Sequence, residues 1–233
     1  MNALLLSAGY GKRLKPITNR IPKCLVPINN KPLLQIWIDL LIDSNLFEKI
    51  VINTHYLAES VNNFIETQKY KEKIFIYHEP NLLGTGGTLL ANSDFFDETF
   101  FVAHADNLSR FDIIDFYNYH LRRKSNLIAT LMSFISDTPF SCGIFELDKN
   151  DTLINFYEKV ENPPSNLANA AVYFFEPNVI DLLKKINKNN LDISCDLLPL
   201  LLNKSQVYFN NSYHRDIGTV DSYNQALRDF CND

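Results

Sequence analysis

Short apolar runs separated by stretches of helical period set the first rhythm of the chain. Asn2 to Ser7, Ile50 to Asn53, Ile74 to Tyr77, Phe100 to His104 and Leu127 to Ser133 are compact and β-rich, the signature of strands buried on both faces. Between them, Leu33 to Leu41 spaces its apolar residues as a helix laid on a sheet does, and Ala58 to Thr67 repeats that spacing more weakly. Strand and helix in alternation predict a doubly wound, mostly parallel sheet.

After about Thr138 the strand candidates crowd together, at Gly143 to Leu147, Leu153 to Glu158 and Ala170 to Phe175, which predicts a small antiparallel subregion. Helical stretches at Asn178 to Ile186 and Asp196 to Leu202 come next, then two short strands and a last helix at Val220 to Phe230. The expected class is α/β, a Rossmann-like three-layer sandwich with a mostly parallel central sheet and an antiparallel subregion. Neither an internal repeat nor a low-complexity segment interrupts it.

Composition narrows the functions this frame can serve. Of 233 residues, 46% are hydrophobic and 21% charged, as in ordinary globular proteins. The net charge of −5 is spread along the chain, and without a basic tract to neutralise phosphate backbones nucleic acid is excluded as an expected partner. The opening MNALLLSAGY has too short an apolar run, and no basic flank, for a signal peptide or a spanning helix, so a cytoplasmic protein without membrane contact is expected. Cys24, Cys142, Cys195 and Cys231 form no CxxC pair and are read as reduced bystanders.

Glycine is scarce, and five of the seven lie at Gly9, Gly11, Gly84, Gly86 and Gly87. They mark loops that need unusual dihedrals or a close backbone approach. The first pair follows a strand, where backbone N–H groups can meet phosphate oxygens. A dinucleotide fingerprint needs a third glycine where Leu14 stands, and a Walker loop needs Ser or Thr after Gly-Lys, where Arg13 stands.

The run Ala8-Gly9-Tyr10-Gly11-Lys12-Arg13-Leu14-Lys15-Pro16 followed by Lys23-Cys24-Leu25-Val26-Pro27 resembles the opening signature of the sugar-1-phosphate nucleotidylyltransferases, Gly-x-Gly-x-Arg-x-x-Pro and Lys-x-x-x-Pro. The likeness continues through Glu79 to Gly87, through Phe100 to Asp106, and through Asp216-Ile217-Gly218-Thr219 with Tyr223 and Ala226, which is similar to the closing Asp-x-Gly-Thr-x-x-x-Tyr-x-x-Ala. It implies a single nucleotidyltransferase domain over 1–233, with 1–137 mainly nucleotide-binding and 138–233 mainly sugar-phosphate-binding and closing. The reaction it implies is attack of a sugar 1-phosphate oxygen on the α-phosphorus of a nucleoside triphosphate, releasing pyrophosphate. Closest in kind are enzymes making GDP-mannose or GDP-heptose, then those making UDP-N-acetylmuramic acid.

The roles follow by the same resemblance. Arg13, Lys23 and Asp106 are the expected catalytic residues, and Asp106 with Asp216 the expected Mg²⁺ ligands, since Mg²⁺ keeps waters and takes further oxygens from phosphates. Fixed cations at Arg13 and Lys23 offset the repulsion between approaching phosphates. Leu6, Ala8, Gly9, Gly11, Lys12, Arg13, Glu79, Gly84 and Thr85 are expected at the nucleotide; Lys12 stands where the family often has Thr. Glu79 is expected to read the base. As an acceptor it suits guanine, which offers adjacent N–H donors, while uracil and thymine offer one ring N–H and stay open. Lys23, Asp106, Gly143, Glu158, Lys159 and Asn169 are expected at the sugar phosphate. His104, beside Asp106 where the family has Asn, is given no role. A nucleoside triphosphate and a sugar 1-phosphate are the expected partners, with a homodimer as the oligomer. A catalytically silent nucleotide-sugar sensor would be expected to have lost Arg13, Lys23, Asp106 or Asp216, and all four are present. A non-sugar acceptor such as phosphocholine, with cytidine as base, is the remaining alternative.

Overall fold

A computed structural model describes residues 1–230, so Cys231 lies outside the described residues. In chain order the elements are β1 Asn2–Leu6, β2 Pro27–Ile28, β3 Lys31–Pro32, α1 Leu33–Asp43, β4 Lys49–Thr54, α2 Ala58–Glu66, β5 Ile74–His78, α3 Thr85–Ala91, β6 Phe100–His104 and β7 Asn107–Arg110. They continue with α4 Ile113–Leu121, β8 Ala129–Ile135, β9 Gly143–Leu147, β10 Leu153–Glu158, β11 Leu167–Phe175, α5 Asn178–Lys184, β12 Ser205–Phe209, β13 Tyr213–Asp216 and α6 Val220–Phe230. The architecture is Rossmann-like α/β with a mostly parallel core sheet and small antiparallel sheets. No helix among the described residues is long and apolar enough to cross a membrane.

The chain forms two compact units. The first gathers Met1–Leu82, Ala103–Arg110 and the chain from Tyr213 onward. Within it β1, β4 and β5 run parallel, with Leu5 beside Ile52 and Asn53 beside Tyr77. The end of β6 reaches this unit, where Ala105 N donates to Leu6 O at 3.0 Å. Helix α1 buries Leu33, Leu34, Trp37, Ile38, Leu41 and Ile42, the helical stripe the spacing predicted. β13 lies antiparallel to β7, with Asp216 opposite Asn107. A core of Leu14, Val26, Ile28, Leu33, Leu108, Ile217 and Ala226 draws the first and last signatures into one packed cluster. Tyr223 adds a hydrogen bond from its hydroxyl to Pro27 O at 2.8 Å.

The second unit comprises Leu83–Val102 and Phe111–Ser212. β10, β9, β11 and β8 are joined antiparallel, and β12 adds to β8 in parallel. Phe100, Phe101, Phe116, Phe145, Phe174 and Phe175 fill its core. Asp112 caps α4 by accepting from Ile114 N at 2.9 Å and Asp115 N at 3.0 Å.

Departures from the sequence expectation have identifiable causes. The stretch expected as a helix at Asp196 to Leu202 is a π turn, Ile193–Leu197, followed by a 3₁₀ turn, Leu198–Leu201, because Pro199 has no N–H to continue an α-helical ladder. The strand expected at Leu127 to Ser133 runs two residues later, since Leu127 N is turned back onto Lys124 O. Two helices the pattern did not mark, α3 and α4, are present; α3 opens inside the glycine stretch that reads as loop. The two short strands expected near the end are present, and each joins an earlier strand.

Candidate active site

In the first unit the opening and closing signatures meet at one ammonium group. Lys23 Nζ donates to Asp106 Oδ2 at 2.8 Å and to Asp216 Oδ1 at 3.1 Å, with only 8% of the lysine side chain exposed. Burial works against the charge on Lys23, yet the two carboxylates outweigh it and hold the ammonium above its ordinary range. Burial likewise opposes the charge on Asp106, and Lys23, aided by His104, overcomes it and holds the carboxyl below the usual range. Arg13 approaches the other oxygen of Asp216 at 3.5 Å and is 71% exposed, a cation held at one end and open to solvent elsewhere. Gly218 makes this possible, because a Cβ there would stand 2.5 Å from Asp216 Oδ2 and 2.9 Å from Arg13 Nη2.

The glycine loop after β1 is shaped by two different demands. Gly11 has φ +61° and a Cβ there would lie 2.8 Å from Thr18 Cγ2, so the fold itself requires glycine. At Gly9 a Cβ would meet nothing within 4 Å. Lys12 reaches over the Tyr10 ring, 5.2 Å from its centre. Leu6 and Ala8 are buried where β1 enters the loop.

Glu79 follows β5 and is 1% exposed, so it is a buried acid where a turn residue would be solvated. Asn53, near the end of β4, donates through Nδ2 to Glu79 Oε1 at 2.8 Å and accepts through Oδ1 from Ser7 N at 2.7 Å. His55 contacts Glu79 O through Nδ1 at 2.7 Å and the Tyr10 hydroxyl through Nε2 at 2.9 Å. Sequence reasoning passed over Ser7, Asn53 and His55. Its one signal was an asparagine closing an otherwise apolar run.

The remaining predicted residues lie in the second unit. Gly84, at φ +78°, is pressed against Asn190 and Leu191, and Gly86 N and Gly87 N both donate to Leu191 O. Thr85 Oγ1 donates to Asp192 Oδ2 at 3.0 Å and accepts from Ile193 N at 2.7 Å. The tight approach at these glycines is therefore made by the protein's own residues, Asn190, Leu191 and Leu83. Gly143 stands opposite Glu158 across β9 and β10, and a Cβ on it would lie 2.6 Å from Glu158 Oε2. Lys159 is paired with Glu158 at 2.9 Å. That contact, outweighing burial, holds the ammonium above its usual range, with Asp192 among the smaller contributors. Asn169 donates to the Tyr173 hydroxyl at 2.9 Å and accepts from Ala171 N at 2.9 Å, at a bulge in β11. Asp192 and Tyr173 had no signal in the sequence, because the partners that give them meaning are remote along the chain.

Among the described residues no group of three or more His, Cys, Asp or Glu side chains is placed to hold a metal ion. Asp106 and Asp216 nevertheless share one cationic partner, and a pair of carboxylates is the small donor set that Mg²⁺ uses beside phosphate oxygens. Cys24, beside this site in the chain, is no ready nucleophile: it is fully buried and pushed up to about 12 by that burial and by Asp106. Cys24, Cys142 and Cys195 are all free thiols.

Residues 2–233 match the family model described as nucleotidyl transferase. The chain is 32% identical to the UTP–glucose-1-phosphate uridylyltransferase of Synechocystis sp., over 98% of its own length and 63% of that protein. It is 30% identical to the bifunctional protein GlmU of Methanocaldococcus jannaschii, over 94% of the chain and 51% of the relative. To the mannose-1-phosphate guanylyltransferase catalytic subunit beta of Drosophila melanogaster it is also 30% identical, over 88% and 56%. The chain thus spans between 51% and 63% of the length of these curated relatives. Among solved structures, a Bacillus anthracis protein of the glucose-1-phosphate thymidylyltransferase type, in complex with sucrose, superposes with a TM-score of 0.89 at 22% identity, covering 98% of this chain and 94% of that one. HddC from Yersinia pseudotuberculosis, in complex with GMP-PN, gives 0.80 at 22% identity, covering 98% and 99%. At these identities the structural likeness speaks for the fold.

Proposed function

The chain belongs to the nucleotidyl transferase family, and on that premise we propose that it transfers a nucleoside monophosphate from a nucleoside triphosphate to a sugar 1-phosphate, with release of pyrophosphate. The observation that carries this reading is the Lys23 ammonium between Asp106 and Asp216 with Arg13 at the outer oxygen, cations and acids drawn from the beginning, middle and end of the sequence. Two phosphates can approach one another only where their charge is offset. Arg13, mostly exposed and tethered at one end, is suited to hold the triphosphate and the departing pyrophosphate, while Lys23 offsets charge at the reacting phosphates. Asp106 and Asp216 would hold Mg²⁺, which supplies charge neutralisation and orientation of phosphate oxygens when bound. No protein nucleophile is required, because the acceptor phosphate oxygen attacks directly.

Leu6, Ala8, Gly9, Gly11, Lys12, Gly84 and Thr85 complete the proposed nucleotide contacts. At Gly9 the fold leaves room beside the backbone for a ligand atom. Glu79 reads the base in this proposal. A carboxylate offers roughly four acceptor sites and so can take adjacent N–H donors. That favours guanine and makes GTP with mannose- or heptose-1-phosphate the first choice. UTP with a hexose 1-phosphate is the second, supported by the likeness to the Synechocystis uridylyltransferase. Gly143, Glu158, Lys159 and Asn169 are assigned to the sugar phosphate, the lysine to its charge and the others to hydroxyls that both donate and accept. A cytoplasmic setting belongs to the same proposal.

The test is pyrophosphate release with Mg²⁺, pairing each of five nucleoside triphosphates with mannose-, glucose-, heptose- and N-acetylmuramic acid 1-phosphates. Turnover with one pair that is lost in Asp106→Ala supports the transferase. Absence of turnover with every pair, while a nucleotide sugar binds tightly, overturns it.

A further inference from the structure

We infer that Asn53 is a positioning residue for base selection, fixing Glu79 to the glycine loop through a single amide that donates on one side and accepts on the other. The inference rests on the reading of Glu79 as the base contact. Asn53 stands near the end of β4, which lies between β1 and β5, so its side chain reaches the loop that leaves each neighbouring strand. Toward β1, Oδ1 takes the Ser7 N–H at 2.7 Å, and the Ser7 hydroxyl returns a bond to the Asn53 carbonyl. Toward β5, Nδ2 gives to Glu79 Oε1 at 2.8 Å. Backbone N–H can only donate and a carboxylate oxygen accepts, so the two partners dictate which way the amide faces.

Asn53, Ser7 and Glu79 are all buried, where a polar group stays put only if its partners are complete. A second tie runs alongside: His55 joins the Tyr10 hydroxyl of the same loop to the Glu79 carbonyl. Glu79 N is in turn bonded to Thr54 O at 2.8 Å, next to Asn53 in the chain. The loop assigned to the phosphates and the acid assigned to the base are thus parts of one hydrogen-bonded body. Asn53 bonds the carboxylate itself, whereas His55 and Thr54 hold the Glu79 backbone. An acceptor rotated away from a base N–H loses discrimination before it loses binding, because the phosphates still anchor the nucleotide.

The experiment measures equilibrium dissociation constants for GTP, UTP, dTTP, CTP and ATP, without acceptor, for wild type, Asn53→Ala, Asn53→Asp, Glu79→Gln and the double variant that combines Asn53→Asp with Glu79→Gln. The expected result is that Asn53→Ala reduces the affinity ratio between the preferred and the next base by about tenfold, most of the reduction seen in Glu79→Gln. Asn53→Asp sets two acceptors against each other and lowers the Tm. The double variant restores a donor, now an amide at position 79 giving to a carboxylate at position 53, and recovers the Tm of Glu79→Gln without recovering selectivity. If Asn53→Ala does not fold, Asn53→Asp and its rescue carry the test. A changed ratio in Glu79→Gln with an unchanged ratio in the Asn53 variants overturns the positioning role and leaves the base reader standing. No change in Glu79→Gln overturns both.

Discussion

Replacing Lys23 by methionine keeps most of the buried stem and removes only the charge, which isolates what the ammonium does between its two acids. Oxygens bonded to one nitrogen at 2.8 and 3.1 Å lie no more than about 6 Å apart. With half of Asp216 exposed, an effective dielectric of roughly 40 makes the repulsion of the two unbridged carboxylates about 1.4 kcal/mol. Loss of the charge-assisted hydrogen bonds adds about 1–2 kcal/mol, and release from burying an ammonium returns part of it. The net cost is about 2 kcal/mol at neutral pH, or a fall in Tm of roughly 4–8 °C for a chain of this size. The sign with pH follows from Asp106, whose carboxyl is held below its ordinary 3.8 against the pull of burial, chiefly by Lys23. Stability of that kind is fully present above pH 3.8 and is lost as pH falls through the folded value. In the variant the same acid is more easily protonated, which relieves the repulsion. Unfolding by urea at pH 7 and at pH 3.5 should therefore show a gap between wild type and variant that closes on acidification. A gap of the same size at both pH values would mean that packing of the stem, and not charge, holds Lys23 in place. Turnover in the pyrophosphate assay should drop about a hundredfold or more, since a preorganised cation at the reacting phosphates is gone.

Gly9→Ala should leave the Tm unchanged, as its Cβ meets nothing, while weakening nucleotide binding; Gly11→Ala should cost about 1–2 kcal/mol in urea unfolding through its positive φ and the Thr18 contact. Gly143→Ala pushes on Glu158 and Phe156 and should raise KM for the sugar phosphate in steady-state kinetics with KM for the triphosphate nearly constant. His120 is buried between Thr130 and Glu176, and burial lowers it from 6.5 to about 4, so it folds neutral. A depressed folded value gives stability that is present above pH 6.5 and is lost as pH falls toward the folded value, and His120→Gln should flatten that slope in pH-dependent thermal unfolding.

How far each part was legible depended on whether its cause lies along the chain or across it. Strands such as Phe100–His104 and Gly143–Leu147, and the helix Val220–Phe230, stand where the pattern put them, because burial on two faces or one writes itself into residue spacing. Helix α3 was hidden by Gly86 and Gly87, whose low helix propensity is offset by bonds to Leu191 O, more than a hundred residues away. The Lys23, Asp106 and Asp216 constellation was readable only as a resemblance. What brings it together is the pairing of β13 with β7 and the shared core of Leu14, Val26, Ile217 and Ala226, which no local window contains. Asp192 was silent for the same reason, and Asn53 showed only as an asparagine closing an apolar run: each is meaningful only through partners on other elements.

Glycine illustrates how structure separates the demands of folding from those of a ligand. The sequence treats Gly9, Gly11, Gly84, Gly86 and Gly87 alike, as loop glycines open to phosphate. At Gly84, Gly86 and Gly87 the close approach is by Asn190, Leu191 or Leu83, at Gly11 by Thr18, at Gly143 by Phe156 and Glu158, and at Gly218 by Asp216 and Arg13. A side chain at Gly86 would be tight and at any of the others would collide with the protein, so packing accounts for these glycines whether or not a nucleotide binds. Gly9 is the exception among the described glycines: no positive φ and no neighbour demand it. Where the fold is indifferent to a Cβ, glycine leaves the backbone uncovered, which is what the proposed nucleotide contact at Gly9 requires. In a loop that leads into Arg13 and Lys23, the ligand that chemistry fits is an anion with several oxygens, and the Gly9→Ala comparison of stability with nucleotide affinity isolates that requirement from every other.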